Sequence, residues 1–173
     1  MTQFWCCDID GVIVDSKVLV RESYKAVGID MPIEAWGHPW KTWLPAAVGS
    51  YELAEQLHKK KTDAYVDVLL SGAARESALP FTQIVRALER DRGTKVFYVT
   101  GAAHKAAVAI LNELGLRVEN LLASSVTTAE REQLLKSIAD TGVYVDDRIE
   151  GQAPAHAAGW RFIWAKQDWQ WNQ

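Results

Sequence analysis

Asp8-Ile9-Asp10-Gly11 puts two carboxylates two residues apart at the end of a short apolar run, Phe4-Trp5-Cys6-Cys7. In an extended segment residues two apart point the same way, so both are expected to leave one strand edge toward one small volume. Like charges held that close need a compensating cation, or one of them must keep a proton. Gly11 then lets the chain turn sharply away. An Asp-x-Asp-Gly run also suits an ordinary polar turn. The rest of the chain decides for chemistry, because it supplies polar partners in order: Thr100-Gly101 closes one apolar run and Asp146-Asp147 closes another.

The elements that must position these groups can be read from hydrophobic periodicity. Residues 95–101, 142–147 and 160–165 are strand-like, with residues 4–7 as a first strand close to the N-terminus and no targeting segment expected before it. Residues 81–90 carry a helical stripe, Phe81, Ile84, Val85 and Leu88, between Pro80 and Gly93. Residues 104–114 repeat the pattern through Ala107, Val108, Ile110, Leu111 and Leu114, closed by Gly115. Thr127 and Glu130 form a capping-box pattern ahead of a helix over 129–139, and 152–158 make an Ala-rich helix ending at Gly159.

Alternating strands and helices predict an α/β fold, a Rossmann-like parallel sheet with helices on both faces. Its ligand site is expected at the carboxyl ends of the strands, where Asp8, Asp10, Thr100, Asp146 and Asp147 would meet. Residues 17–79 break the alternation. Stretches 17–27 and 51–70 look helical, and an aromatic, proline-rich stretch, 36–45, separates them. They read as a helical cap inserted after the first strand, over a core of 1–16 and 80–173.

At 173 residues the chain suits one domain with a modest insertion. Its net charge of −3 does not suggest a nucleic-acid-binding surface. No apolar run approaches the roughly 20 residues that span a membrane. Cys6 and Cys7 are sequence neighbours on a buried strand and read as core residues in a reducing compartment. A soluble cytoplasmic protein is expected.

These residues resemble the motifs of the haloacid dehalogenase superfamily of phosphohydrolases. The resemblance rests on Asp8-Ile9-Asp10-Gly11-Val12 with Asp15-Ser16, on Thr100-Gly101, and on Val145-Asp146-Asp147-Arg148 followed by Ala157-Ala158-Gly159. It spans most of the chain. The resemblance implies that Asp8 attacks phosphorus and forms an aspartyl-phosphate. Asp10 would protonate the leaving oxygen and later activate water. Thr100, in the Thr100-Gly101 turn, would bind a phosphoryl oxygen. Mg2+ would be held by Asp8, the backbone carbonyl of Asp10 and Asp147, with Asp146 behind them or as an alternate ligand. Dehalogenases of the superfamily lack the second Asp, so Asp10 points to phosphoryl chemistry.

The family's third motif, a lysine that neutralises phosphate and nucleophile, has no counterpart in residues 124–128. Arg131 and Lys136 stand as its candidates. Arg131 lies in the first helical turn; Lys136 precedes Asp147 by 11 residues, a short spacing similar to that of small deoxyribonucleotidases in the superfamily. Either also suits a solvated helix face. Gly151 stands where many members place another carboxylate, with Glu150 beside it.

In the inserted region Trp36, Trp40 and Trp43 fall at helical spacing and either wall a substrate pocket or pack the cap's own core. His38 and Lys41 either read the substrate's distal group or sit on a solvated surface. The Lys59-Lys60-Lys61 run reads as a charged helix face, with a polyanionic substrate as the alternative. His104 and Lys105 open a helix after the Thr100-Gly101 turn, where phosphate is favoured. Trp164, Trp169 and Trp171 are expected on the sheet edge or against a partner subunit.

The expected function is a magnesium-dependent phosphatase acting on a small phosphomonoester, a nucleotide or sugar phosphate. A phosphomutase with the same motifs and a phospholigand-binding member without turnover are the rivals. Nucleic acid enters only as a phosphorylated end, and the sequence leaves the oligomeric state open.

Overall fold

The computed structural model describes residues 2–35, 40–124 and 126–165, apart from the Thr128 side chain. Five parallel strands form its centre: β1 (Gln3–Asp8), β2 (Thr94–Val99), β3 (Leu121–Ala123), β4 (Val143–Asp146) and β5 (Arg161–Trp164). They pair in the order β3-β2-β1-β4-β5. The chain moves outward from β1 through β2 and β3, then crosses to the other side for β4 and β5. The reversal falls between β1 and β4, and such a switch point is where open α/β sheets receive ligands. Asp8 closes β1 and Asp146 closes β4, so carboxylates line the switch.

Strand alternation sorts the residues onto two faces. Cys7 packs with Val96, Tyr98, Val143 and Val145 on one face, while Cys6 packs with Val99, Tyr144 and Trp160 on the other. Burial on both faces explains why β1 reads as a continuous apolar run. By the same alternation Asp8 shares the Cys6 face, together with Tyr144 and Asp146 of β4.

Residues between β1 and β2 build α1 (Ser16–Lys25), α2 (Trp40–Val48), α3 (Tyr51–Val68), a wide turn over Leu69–Ala73 and a short α4 (Ala74–Glu76). Asp15 caps α1 by accepting from Lys17 N, and Ser50 caps α3 by accepting from Leu53 N. The chain enters and leaves this insertion side by side. Asp15 N donates to Ser77 O at 2.8 Å, and Leu79 N donates to Ile13 O at 2.9 Å. Tyr24, Met31, Ala35, Leu44 and Ala54 form a small core there, joined by Trp40 and Trp43. The far half of α3 leaves that core. Tyr65 and Leu69 pack against Val12, Ile13, Val14 and Leu19, just beyond β1.

The remaining helices cover the sheet. α5 (Phe81–Arg90) and α6 (His104–Glu113) bury Phe81, Val85, Ile110 and Leu111 on the Cys7 face. α7 (Thr128–Ile138) and α8 (Gln152–Ala157) bury Leu135 and Ala155 on the Cys6 face. The capping box at Thr127 and Glu130 is present. Two elements differ from the periodicity reading. β3 is an edge strand too short to alternate visibly, and residues 40–48 are helical with Pro45 inside. Trp36, His38, Trp169 and Trp171 lie outside the described residues. Among the described residues no helix is long and apolar enough to cross a membrane.

Candidate active site

The site begins at the turn that follows β1. Ile13 N donates to Ile9 O at 2.9 Å and Gly11 N donates to Val14 O at 2.8 Å, folding residues 9–14 into one tight loop. Gly11 sits at φ 72, and a Cβ there would lie 2.2 Å from Asp147 Oδ2. Glycine is required twice, for the left-handed backbone and for the approach of Asp147. Asp8, Asp146 and Asp147 each bring a carboxylate oxygen within 4.8 Å of the others.

Arg131 completes this cluster. It lies in the first turn of α7, four residues before Leu135, so both face the sheet. The guanidinium is buried. Nη1 donates to Tyr144 OH and Asp146 Oδ2, and Nη2 reaches Asp8 Oδ2 at 3.4 Å. Tyr144 OH also donates to Asp146 Oδ2 at 2.6 Å. Among the described residues Arg131 Nε is buried without a hydrogen-bond partner. Lys136 is on the opposite face of α7, exposed, and pairs with Glu132 at 2.6 Å. The structure therefore brings Arg131 to the carboxylates and leaves Lys136 outside.

Burial and like charge dominate the electrostatics. Burial pushes the Asp8 carboxyl well above its ordinary range; Arg131 pulls it back, and Asp146 and Asp10 push it further up. Asp147 rises to about 6, from burial first and Asp146 second, with Arg148 opposing. Buried carboxylates that resist ionising beside one another are what a hard divalent cation relieves. The donor set, three carboxylates, is compatible with a divalent cation. Asp146 spends Oδ2 on Arg131 and Tyr144 and accepts from Arg148 N through Oδ1 at 2.9 Å. That leaves Asp8 and Asp147 as the better-placed carboxylate ligands.

Asp10, whose charge acts on Asp8 and Asp147, has a different hydrogen-bond partner. Its Oδ2 accepts from Thr100 Oγ1 at 2.8 Å, and Thr100 Oγ1 in turn accepts from Ala102 N at 3.0 Å. Thr100 is fully buried at the end of β2, followed by the exposed Gly101. Asp8 and Asp10 thus have different bonding partners, Arg131 for Asp8 and Thr100 for Asp10.

Other candidates fall elsewhere. Trp43 meets Tyr24 edge to face at 5.1 Å, and Trp40 stacks on His58 at 4.9 Å, both in the core of the insertion. Lys41 is exposed with its ammonium 5.7 Å from the Trp40 ring. Lys105 pairs with Asp63 at 2.6 Å, tying α6 to α3, and His104 is exposed. Glu150 is exposed. A Cβ at Gly151 would lie 2.7 Å from Asp146 Oδ2, so a carboxylate side chain at 151 would crowd the Arg131–Asp146 pair.

Three residues went unnoticed in the sequence or were given another role. Tyr144 anchors Arg131, and its position two before Asp146 on a strand was the available signal. Trp164 Nε1 donates to Asp147 O at 2.9 Å and pins the loop after β4. Lys61, read as part of a charged face, is half-buried between Tyr24 and Tyr65.

No family model and no curated sequence matches the chain. Solved structures do. CbbY from Rhodobacter sphaeroides in complex with phosphate aligns over 99% of this chain and 91% of its own, with TM-score 0.69 and 15% identity. A family IA, variant 3 HAD hydrolase from Entamoeba histolytica aligns over 99% and 87%, with TM-score 0.69 and 13% identity. A hydrolase from Pseudomonas syringae aligns over 95% and 84%, with TM-score 0.64 and 18% identity. With a parallel sheet reversing at β1 and β4 and a helical insertion after β1, the chain has the fold of the haloacid dehalogenase-like hydrolases.

Proposed function

We propose that the chain is a magnesium-dependent phosphatase of the haloacid dehalogenase superfamily that hydrolyses a small phosphomonoester through Asp8. The observation that carries this reading is the division of labour between the two aspartates. Asp8 sits in the carboxylate cluster beside a buried guanidinium, whereas Asp10 accepts a hydrogen bond from Thr100. A nucleophile needs a charged, oriented oxygen, and a proton donor needs freedom to change protonation state.

In this reading Asp8 attacks phosphorus while Asp10 gives its proton to the leaving oxygen. Asp10 then takes a proton from the water that cleaves the aspartyl-phosphate, returning both groups to their starting states. Arg131 faces the charge that builds on the phosphoryl oxygens and takes the place of the usual lysine, with Nε as an unspent buried donor. Thr100 holds Asp10 in the free protein and offers its hydroxyl to a phosphoryl oxygen when substrate arrives. Gly101 keeps the strand end open. Asp8, Asp147 and the Asp10 carbonyl would hold Mg2+, which neutralises phosphate charge and lets Asp8 stay ionised. The inserted helices act as a cap whose α3 closes over the strand ends and excludes bulk water.

The neighbours support a phosphorylated ligand: one CbbY structure holds phosphate and another holds xylulose-(1,5)bisphosphate. The test is phosphate release across nucleotides, sugar phosphates and small acid phosphates, with Mg2+ and with chelator. Magnesium-dependent release from one class is expected. Isomerised sugar phosphate instead of free phosphate would assign a mutase, and tight binding without turnover a phospholigand-binding protein.

A further inference from the structure

Tyr144 stands in the middle of the sheet. β4 pairs with β1 on one side and β5 on the other, with Tyr144 opposite Cys6 and Phe162. Its side chain is fully buried and packs with Leu135, Ala155 and Trp160, and the Phe162 ring meets it at 6.2 Å. A ring braced in this way on a central strand holds its hydroxyl in one place. That hydroxyl lies under the carboxylates, on the same face of β4 as Asp146 two residues later. It has two charged partners: it donates to Asp146 Oδ2 at 2.6 Å and accepts from Arg131 Nη1.

The donors of Arg131 are unevenly spent. A guanidinium carries five N–H groups in one rigid plane. Nη1 serves Tyr144 OH and Asp146 Oδ2. Nη2 and Nε share the adjacent edge of the plane. Nη2 reaches Asp8 Oδ2 only at 3.4 Å, and among the described residues Nε has no partner. One end of the guanidinium is therefore loaded, while the edge beside Asp8 is nearly free. Arginine and a carboxylate favour a two-bonded fork. Asp146 is close enough to form one with Arg131, but the Tyr144 hydroxyl takes up Asp146 Oδ2 and one donor of Nη1 together.

We propose that Tyr144 is a positioning residue for the phosphoryl group. Its hydroxyl keeps Arg131 from closing a fork on Asp146, and so holds the Nη2–Nε edge beside Asp8 for two phosphoryl oxygens. Without the hydroxyl, one N–H of Nη1 is buried and unpaired. The guanidinium recovers that bond by turning onto Asp146, and its free edge leaves Asp8. A lysine ammonium is a point charge with no such edge to aim, so Tyr144 acts only through an arginine at 131. The inference rests on the reading in which Asp8 receives phosphorus, and it adds what aims the cation there.

The experiment is equilibrium binding of inorganic phosphate in Mg2+ to the unsubstituted chain, Tyr144→Phe, Arg131→Lys and the double variant, each first shown to melt cooperatively. Loss of a charge-assisted bond predicts that Tyr144→Phe binds phosphate about tenfold more weakly or worse. In the Arg131→Lys background the same substitution changes binding by less than about twofold. A tyrosine that only supports the fold weakens binding equally in both backgrounds. That result, or unchanged binding by Tyr144→Phe, would overturn the proposal.

A second readout needs no lysine variant. In NMR spectra of protein with isotope-labelled arginine nitrogens, one Nε–H signal should move when phosphate is added to the unsubstituted chain and stay in place in Tyr144→Phe. A signal that moves equally in both, or none that moves in the unsubstituted chain, refutes the role assigned to Tyr144. Neither measurement needs turnover. A chain that shows both effects yet releases no phosphate from any phosphomonoester would refute the phosphatase reading and leave the role of Tyr144 standing. Turnover through Asp8 without either effect would refute that role alone.

Discussion

Replacing Arg131 by Met tests whether the guanidinium is what makes the buried carboxylates tolerable. Arg131, Asp8 and Asp146 are all nearly inaccessible, with side-chain exposures of 7%, 6% and 2%. Solvent therefore cannot screen the charges left behind. Removing one partner of a buried, hydrogen-bonded charge pair costs about 3–5 kcal/mol, because the survivor remains desolvated. For a chain of this size about 1 kcal/mol moves the melting temperature by roughly 2–4 °C, so the metal-free Arg131→Met protein should melt roughly 6–20 °C lower. Urea denaturation at neutral pH measures the free energy directly. Adding Asp146→Asn to Arg131→Met should recover part of the loss, since the Arg148 amide can still donate to the neutral amide oxygen and the Tyr144 hydroxyl can accept from the amide nitrogen. A single-variant loss under about 1 kcal/mol, or no coupling between the two substitutions, would refute the reasoning.

Gly11→Ala should weaken Mg2+ binding about tenfold or more, because its Cβ would sit 2.2 Å from Asp147 Oδ2 and at a φ of 72; a Mg2+ titration of phosphate release reads this. The carboxyl of Asp147, raised to about 6, predicts a pH dependence with a definite sign. Its folded value lies above the ordinary 3.8, so the metal-free fold loses stability as pH rises through that window, while metal binding must displace a proton below it. The melting-temperature gain from Mg2+ should accordingly be larger at about pH 7.5 than at about pH 5.5, with affinity about fourfold weaker at the lower pH from this one group. A gain independent of pH would remove Asp147 from the ligand set. Lys136→Ala should leave phosphate release within about twofold and cost at most about 0.5 kcal/mol, the worth of an exposed i,i+4 pair. A large loss of turnover would return Lys136 to the site.

Periodicity was enough to read β1, β2, β4, β5 and the helices that flank them, because long apolar stripes leave few alternatives. β3 escaped because Leu121–Ala123 is too short to alternate and owes its strand form to pairing with β2. The choice between Arg131 and Lys136 was in the sequence as helix phase. Leu135 lies four residues after Arg131 on the inward stripe, whereas Lys136 falls beside Glu132 on the outward one. Asp8 and Asp10 were expected to share one volume, and alternation alone gives that answer. It does not give their partners: Thr100 bonds Asp10 and Arg131 bonds Asp8, and both depend on tertiary contacts. Lys61 could not be told from Lys59 and Lys60 by composition. Its inward position is set by Tyr24 on another helix, which no local pattern on α3 announces.

The measurement that bears most directly on the central claim is to trap the covalent phosphoryl-enzyme. A phosphomonoester labelled at phosphorus is mixed with excess protein in Mg2+, quenched in acid within one turnover, and the labelled peptide identified. The account predicts acid-stable, hydroxylamine-sensitive label on Asp8, absent from Asp8→Asn and from samples quenched without Mg2+. Phosphate release by the unsubstituted chain with no label on Asp8, or turnover retained by Asp8→Asn, would contradict it.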